Sequence, residues 1–259
     1  MSNISTTIED HIAEVRFNRP EKMNAITGQM FQDLSDTIVR LETEKTVRCV
    51  VLSGEGKSFC AGIDLETLAG DSTINDLVTR THGISNMLQH AAFGWRELGC
   101  PVIAAVHGYV FGAGFQVALG ADIRVAAPDT QLSFMEARWG IIPDLGGMAL
   151  IRNLIREDFA REIVFTGRKV QAEEAQRFGV VTHISDDPRE HAMSLARSIA
   201  GLSPQSVRAA KRVLNKSSDA TNAEILMAES EEQTVLMTSS GHKESLLAHM
   251  QKRVPQYED

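Results

Sequence analysis

The stretch PVIAAVHGYVFGAGFQVALGAD, residues 101–122, carries the fold of this chain in miniature. Pro101 to Val106 is a short, continuous apolar run, the pattern of a strand buried on both faces. Gly108, Gly112 and Gly114 punctuate the turn that follows, and a helix is predicted from about Gly114 to Leu119. A strand that turns at glycines and restarts as a helix leaves N–H groups unpaired at the helix start, where the dipole favours negative charge. A second segment, FCAGIDL at 59–65, is built alike, with small residues beside a glycine that let a ligand approach the backbone. A pair of outward amides is what is needed to hold an oxygen as it gains negative charge.

Outward from this stretch, the pattern alternates between the two periods. Residues 12–17 place Ala13, Val15 and Phe17 on one face and Glu14 and Arg16 on the other, a strand signal. NRPEKMNAIT at 18–27 is turn chemistry leading into a helix with Met30, Phe31, Leu34, Ile38 and Leu41 on its apolar stripe. Val47 to Leu52 is a buried strand, Ile123 to Ala126 another, and Gln131 to Phe134 a further short one. Residues 66–90 are polar and weakly patterned, ending in a helix around Ile84, Met87 and Leu88; such stretches serve as mobile pocket walls. After Thr182 the strand signal stops, and 188–200, 203–215 and 221–252 are predicted as helices, the last as one long charged helix. Strands alternating with helices give the α/β class, with a helical C-terminal region beginning near 200.

Composition sets the remaining bounds. At 259 residues and 43% hydrophobic, the chain can bury one substantial core with a smaller appended unit. A net charge of −8 argues against general affinity for nucleic acid or anionic membrane. Cys49, Cys60 and Cys100 form no framework, and Met1-Ser2-Asn3-Ile4 opens directly into polar residues. A cytoplasmic, reduced compartment is therefore expected.

Several fragments resemble sites they do not complete. Gly54-Glu55-Gly56-Lys57-Ser58 looks like the end of a P-loop, but the first glycine of that pattern would fall on Val51. Gly112-Ala113-Gly114 starts like a dinucleotide fingerprint, yet its third glycine would fall on Val117. The eight histidines have no ligand spacing, so no metal site is expected. Arg208, Lys211, Arg212 and Lys216 form a basic helix face, taken as solvated or as a subunit contact.

With RPEKMNAIT (19–27), FCAGIDL, residues 101–126, FMEARWGIIPDLGG (134–147), FTGRKVQAEEAQRFGVV (165–181) and LSPQSVRAAKRVLN (202–215) in order, the chain resembles the enoyl-CoA hydratase/isomerase, or crotonase, superfamily over nearly its whole length. The resemblance implies a spiral of ββα turns over 1–200, carrying an acyl-CoA site, and a helical trimerisation region over 201–259. It implies homotrimers or dimers of trimers, no cofactor beyond the coenzyme A of the substrate, and no nucleic-acid or membrane partner. The oxyanion donors it implies are the backbone N–H groups of Ala61 and Ala113. CoA is expected along Ala61, Gly62, Ile63 and Asp64 and beside Gly112 and Ala113, with Lys22 as a phosphate partner.

The same resemblance places acid/base groups at Gln116, Glu136 and Asp144. A hydratase uses carboxylates at the first two positions. Gln116 cannot ionise, and can only orient water or a neighbouring group by hydrogen bonding. Glu136 has Phe134, Met135 and Trp139 nearby in sequence, and desolvation by them would raise its pKa toward the range useful for proton exchange. Asp144, after Pro143, is its expected partner, with a plain turn residue as the alternative.

Acids at 136 and 144 without one at 116 look most like enzymes that move a double bond, so isomerase is placed ahead of hydratase. Dienoyl-CoA isomerases carry both acids but also one at the Gln116 position. Simpler enoyl-CoA isomerases use only the glutamate. A dehalogenase branch with a nucleophilic aspartate at 144 lacks the glutamate at 136. The alternative of another class is a non-catalytic acyl-CoA binder or a member of an RNA-binding branch, against which the acidic balance and the two carboxylates both count.

Overall fold

A computed structural model of the chain describes residues 3–70 and 76–259. Strand β1 (Ile4–Glu9) pairs antiparallel with β2 (Ile12–Phe17) through a two-residue turn in which Asp10 and His11 both take positive φ, the hairpin turn that matches strand twist. From β2 the sheet continues in parallel through β3 (Cys49–Gly54), β4 (Val102–Val106), β6 (Ile123–Ala126) and β9 (His183–Ile184), giving the order β1-β2-β3-β4-β6-β9. A second sheet stacks β5 (Tyr109–Phe111) between the 59–60 segment and β7 (Gln131–Ser133), with β8 (Val170–Gln171) antiparallel at its edge. Each successive turn of chain thus adds one strand to each sheet, the spiral that the resemblance implied.

The large sheet is buried on both faces, and its alternation divides its residues between two clusters. Val50, Leu52, Ala104 and Val106 point into the main core with α1 (Gly28–Thr43), α3 (Met87–Glu97) and α4 (Ala113–Gly120). Cys49, Val51, Ile103 and Ala105 point to the other side, against the Ala192, Ala196 and Ala200 stripe of α8 (Pro188–Ala200). Small residues spaced by one turn let α8 lie close on the strands.

Helix α4 is buried on every side. Its approach to the 59–62 turn is so close that a Cβ at Gly114 would stand 2.5 Å from the Cys60 Cβ. The remaining helices are α2 (Leu65–Gly70), α5 (Gly147–Ile151), α6 (Glu157–Thr166), α7 (Ala172–Arg177), α9 (Pro204–Lys216), α10 (Asn222–Leu236) and α11 (Ser240–Gln251).

Four expectations change. Glu14, read with Arg16 on the face opposite Ala13, Val15 and Phe17, is buried and held by Arg16 and Arg189, because α8 covers that face of the sheet. The strands do not stop at Thr182, since His183–Ile184 adds β9. The region 221–252 is two helices, broken where the Ser239 hydroxyl caps α11 by accepting from His242 N. The basic face of α9 is not free, since Lys211 is buried against Asp122, Arg212 pairs with Glu232, and Arg208 donates to Lys45 O and Val47 O. No helix among the described residues is long and apolar enough to cross a membrane.

Candidate active site

The turn at 19–24 sets the first wall of the site. Asn24, fully buried and left-handed, donates to Glu55 O and Ser58 O and accepts from Arg19 N, so this turn is stitched to the loop after β3. Met23 is also left-handed, and its carbonyl turns outward to accept the Ala61 N–H at 2.9 Å. The Ala61 amide is therefore spent inside the fold, and the expectation that it points into the pocket fails.

Two residues on, the geometry reverses. Gly62, at φ +109, breaks the extended run. Its carbonyl accepts from Ile26 N at 2.8 Å, and Asp64 N donates to Ile26 O at 2.9 Å. With both flanking groups turned toward Ile26, the N–H of Ile63 must face the opposite side. Among the described residues it has no hydrogen-bond partner. The second amide, Ala113, is the first residue of α4, a position whose N–H no helix can satisfy internally. It too is unpartnered among the described residues.

Both residues line a cavity of about 460 Å³, together with Lys22, Met23, Ala61, Gly62, Asp64, Leu65, Leu68, Gly112, Met135, Glu136, Trp139 and Ile141. Lys22 has no ion pair among the described residues, whereas Asp64 is committed to Arg19 at 2.6 Å and to Glu66 N. Asp64 therefore builds the turn with its side chain, and only its backbone is left for a ligand. A larger depression lined by Arg152, Arg156, Arg177 and Phe178 lies elsewhere. It offers no acid or base, and Arg152 and Arg156 are paired with Asp219 and Asp158.

Glu136 begins a 3-10 turn (Glu136–Trp139) after β7, and only 7% of it is exposed. Burial raises its pKa above the ordinary carboxylate value, opposed by the hydrogen bonds it accepts. Its Oε1 accepts from Gln116 Nε2 at 2.7 Å, while Oε2 is buried with no partner. The orientation of Gln116 follows from its other end. Its Oε1 accepts from Leu145 N at 2.8 Å and Gly147 N at 3.1 Å, groups that can only donate, so the NH2 must face Glu136. Gln116 therefore orients a neighbouring carboxylate rather than water, and it fastens that carboxylate to the 145–147 loop.

Asp144 precedes that loop. It is half-buried, is not one of the cavity's lining residues, and accepts at Oδ1 from Gln89 Nε2 at 3.0 Å.

The sequence pattern of the enoyl-CoA hydratase/isomerase family matches residues 7–259. The chain belongs to that family. It is 30% identical over 261 residues to 1,2-epoxyphenylacetyl-CoA isomerase of Escherichia coli, covering 99% of this chain and 98% of that one. It is 30% identical over 253 residues to the mitochondrial Delta(3,5)-Delta(2,4)-dienoyl-CoA isomerase of Dictyostelium discoideum, covering 94% and 86%. The crystal structure of enoyl-CoA hydratase from Bacillus anthracis has a TM-score of 0.89 at 29% identity, covering 99% of each chain.

Within this enoyl-CoA hydratase/isomerase family member, Glu136, Ala113, Gly112, Gly62 and Lys22 line one cavity. Ile63 replaces Ala61 as the residue with the outward amide. The direction follows from the pairing: an extended stretch bonded to Ile26 through residues 62 and 64 sends the amide of residue 63 the other way. What no pattern supplied was the pairing with Ile26 itself. Gln89 was missed entirely, since a glutamine at the third position of a helix reads only as part of a capping box. Residues 71–75 of the predicted pocket wall lie outside the described residues.

Proposed function

We propose that the chain is an acyl-CoA double-bond isomerase working through a thioester enolate. The observation that carries this is the unpartnered Oε2 of Glu136, buried in the wall of a cavity that also presents the free amides of Ile63 and Ala113. With the thioester oxygen on those amides, Glu136 takes a proton from the α-carbon of a 3-enoyl thioester. The electron pair moves onto the carbonyl oxygen, and the two N–H groups hold the charge as it develops. A proton delivered to the γ-carbon leaves the double bond between the α- and β-carbons. One proton has moved, and nothing is oxidised. Burial of Glu136 supports this role, because a raised proton affinity suits a group that must both take and return a proton near neutral pH. Asp144 is its partner toward the distal end of the acyl chain, and Lys22 at the rim binds a CoA phosphate.

Hydration is the second reading, supported by the hydratase from Bacillus anthracis. Against it stands Gln116, which supplies no second carboxylate and whose carbonyl is filled by two amides. Exposed apolar side chains on α10 and α11, among them Leu226, Met227, Val235, Leu247 and Met250, fit subunit contacts in a trimer. Under this reading the protein works in the cytoplasm and needs no cofactor beyond the coenzyme A of its substrate.

Turnover of 2-enoyl-, 3-enoyl- and 3,5-dienoyl-CoA esters in ¹⁸O-water tests the choice. A shifted double bond without label is expected. Label in a hydroxyacyl product would establish hydration instead, and no reaction with any of these esters would overturn both readings.

A further inference from the structure

Gln89 lies on α3, 55 residues before Asp144 in the chain, and the two side chains meet at 3.0 Å. Its carboxamide has no freedom to turn. Oε1 accepts from Arg80 Nη1 at 2.6 Å and from Asn86 N at 3.3 Å, and a guanidinium and a backbone amide can only donate. The NH2 is therefore forced onto Asp144 Oδ1, leaving Oδ2 as that carboxylate's available oxygen. Arg80 is itself held, donating to Leu77 O at 2.6 Å and Val78 O at 2.8 Å, and Asn86 Nδ2 donates to Leu77 O at 2.9 Å. The stretch 77–86 and the first turn of α3 thus form one hydrogen-bonded frame whose outlet is the Gln89 donor.

The arrangement repeats the one at Glu136. There too a glutamine, locked at its carbonyl end by groups that can only donate, presents its NH2 to one oxygen of a carboxylate. Gln116 does so from α4, Gln89 from α3. Each glutamine fixes one oxygen and frees the other.

We infer that Gln89 is a positioning residue for Asp144, selecting the carboxylate oxygen that faces the acyl chain, with Arg80 locking the carboxamide in register. This rests on the reading that Asp144 is the partner acid of an isomerase. It assigns to the 77–86 stretch, which is not among the residues lining the cavity, a role in proton delivery at the distal carbon.

The test is Q89E, with D144N and the double variant Q89E/D144N, assayed for double-bond migration on 3-enoyl- and 3,5-dienoyl-CoA. Q89E preserves both hydrogen bonds that Gln89 accepts, and glutamate is a favoured third residue of a capping box, so the helix start is kept. The donation to Asp144 is lost, and a second carboxylate oxygen is set against Asp144 Oδ1 in its place. A role confined to capping α3 would leave activity unchanged. As a positioning residue, Q89E lowers kcat about tenfold or more with KM within about twofold, the signature of an interaction made at the reacting stage. In the D144N background Q89E should then cost nothing further, because the group it orients is gone. Wild-type kcat in Q89E while D144N is impaired would overturn the inference and leave the isomerase reading standing. Losses that multiply in the double variant would also overturn it. Full activity in D144N would overturn the role of Asp144, and the inference with it.

Discussion

At Glu136 the two carboxylate oxygens live in different surroundings. Oε1 is bound by Gln116 and Oε2 is buried without a partner, so the proton to be exchanged has one address. Replacing Gln116 by glutamate keeps acceptors for the Leu145 and Gly147 amides but sets a second carboxylate where the donor was. Two carboxylates in hydrogen-bond contact share one proton, and the pair titrates with a raised apparent pKa. Q116E is therefore expected to move the limb of the pH–rate profile that belongs to Glu136 upward, and to add ¹⁸O to product from labelled water. An unmoved profile with no label would contradict the role given to Gln116. Ala113 permits a cleaner test of the oxyanion pair. Proline is tolerated at the first residue of a helix and lacks an N–H, so A113P should remove the donor while retaining α4. A loss of about 10²–10³ in kcat with a native circular dichroism spectrum is expected. At this scale the sequence was legible where a side chain has to be of one kind, as at Glu136 or Gln116. It was illegible where a backbone group decides, as at Ala61 and Ile63, because an amide's direction depends on which distant strand its neighbours pair with.

Elements show the same division. Strand β4 and helix α4 could be read from a continuous apolar run and a glycine turn, since burial on both faces leaves no other composition open to them. Helix α9 was misjudged because its amphipathic pattern cannot say that one cation on it is an internal tie. Lys211 Nζ donates to Trp95 O, Cys100 O and Asp122 Oδ2 at 3.2, 2.8 and 2.8 Å, joining α9 to the end of α3 and the start of β4 and β6. Removing one partner of a buried pair leaves the other charged and unsatisfied. K211M is expected to cost about 3–5 kcal/mol in urea unfolding. A cost below about 1 kcal/mol, typical of a surface pair, would show that α9 is held by its apolar stripe alone. The break between α10 and α11 was overlooked for a different reason: the Thr238-Ser239-Ser240-Gly241 cluster of weak helix formers marks it, but it is short and lies between two long helical patterns.

Over the whole molecule, two of the buried titratable groups make stability fall as the pH drops, while the raised carboxyl of Glu136 works in the opposite direction. His90, beside His82 and hydrogen-bonded to the buried Ser35, is pulled from 6.5 down to about 4, by burial first and by the neighbouring His82 second. Its folded pKa lies below its unfolded one, so the unfolded chain takes up protons first. Stability from this group is whole above about 6.5 and falls as the pH drops toward 4, by up to about 3 kcal/mol. Glu14 is lowered from 4.5 to about 2: burial, its largest influence, raises it, and hydrogen bonds and charge from Arg189 and Arg16 outweigh that effect. Its contribution is complete above about 4.5 and is lost between there and 2. Urea midpoints at pH 7, 6 and 5 should therefore decline, and H90N should flatten that decline while leaving the steeper loss below 4.5. An unchanged slope in H90N would move the effect to other groups. The spiral that holds these residues was legible only through the family resemblance that the ordered motifs carry, while the alternation of strand and helix patterns by itself gave the α/β class.

The central claim is that Glu136 carries the proton of an enolate held by Ile63 and Ala113. Its most direct test is deuterium wash-in at the α-carbon of a 3-enoyl-CoA in heavy water, followed by mass spectrometry for the wild-type protein and E136Q. The wild type should incorporate deuterium, and E136Q should do so more slowly by about 10²–10⁴, the usual contribution of a positioned acid/base group. Wash-in by E136Q at the wild-type rate would contradict the account.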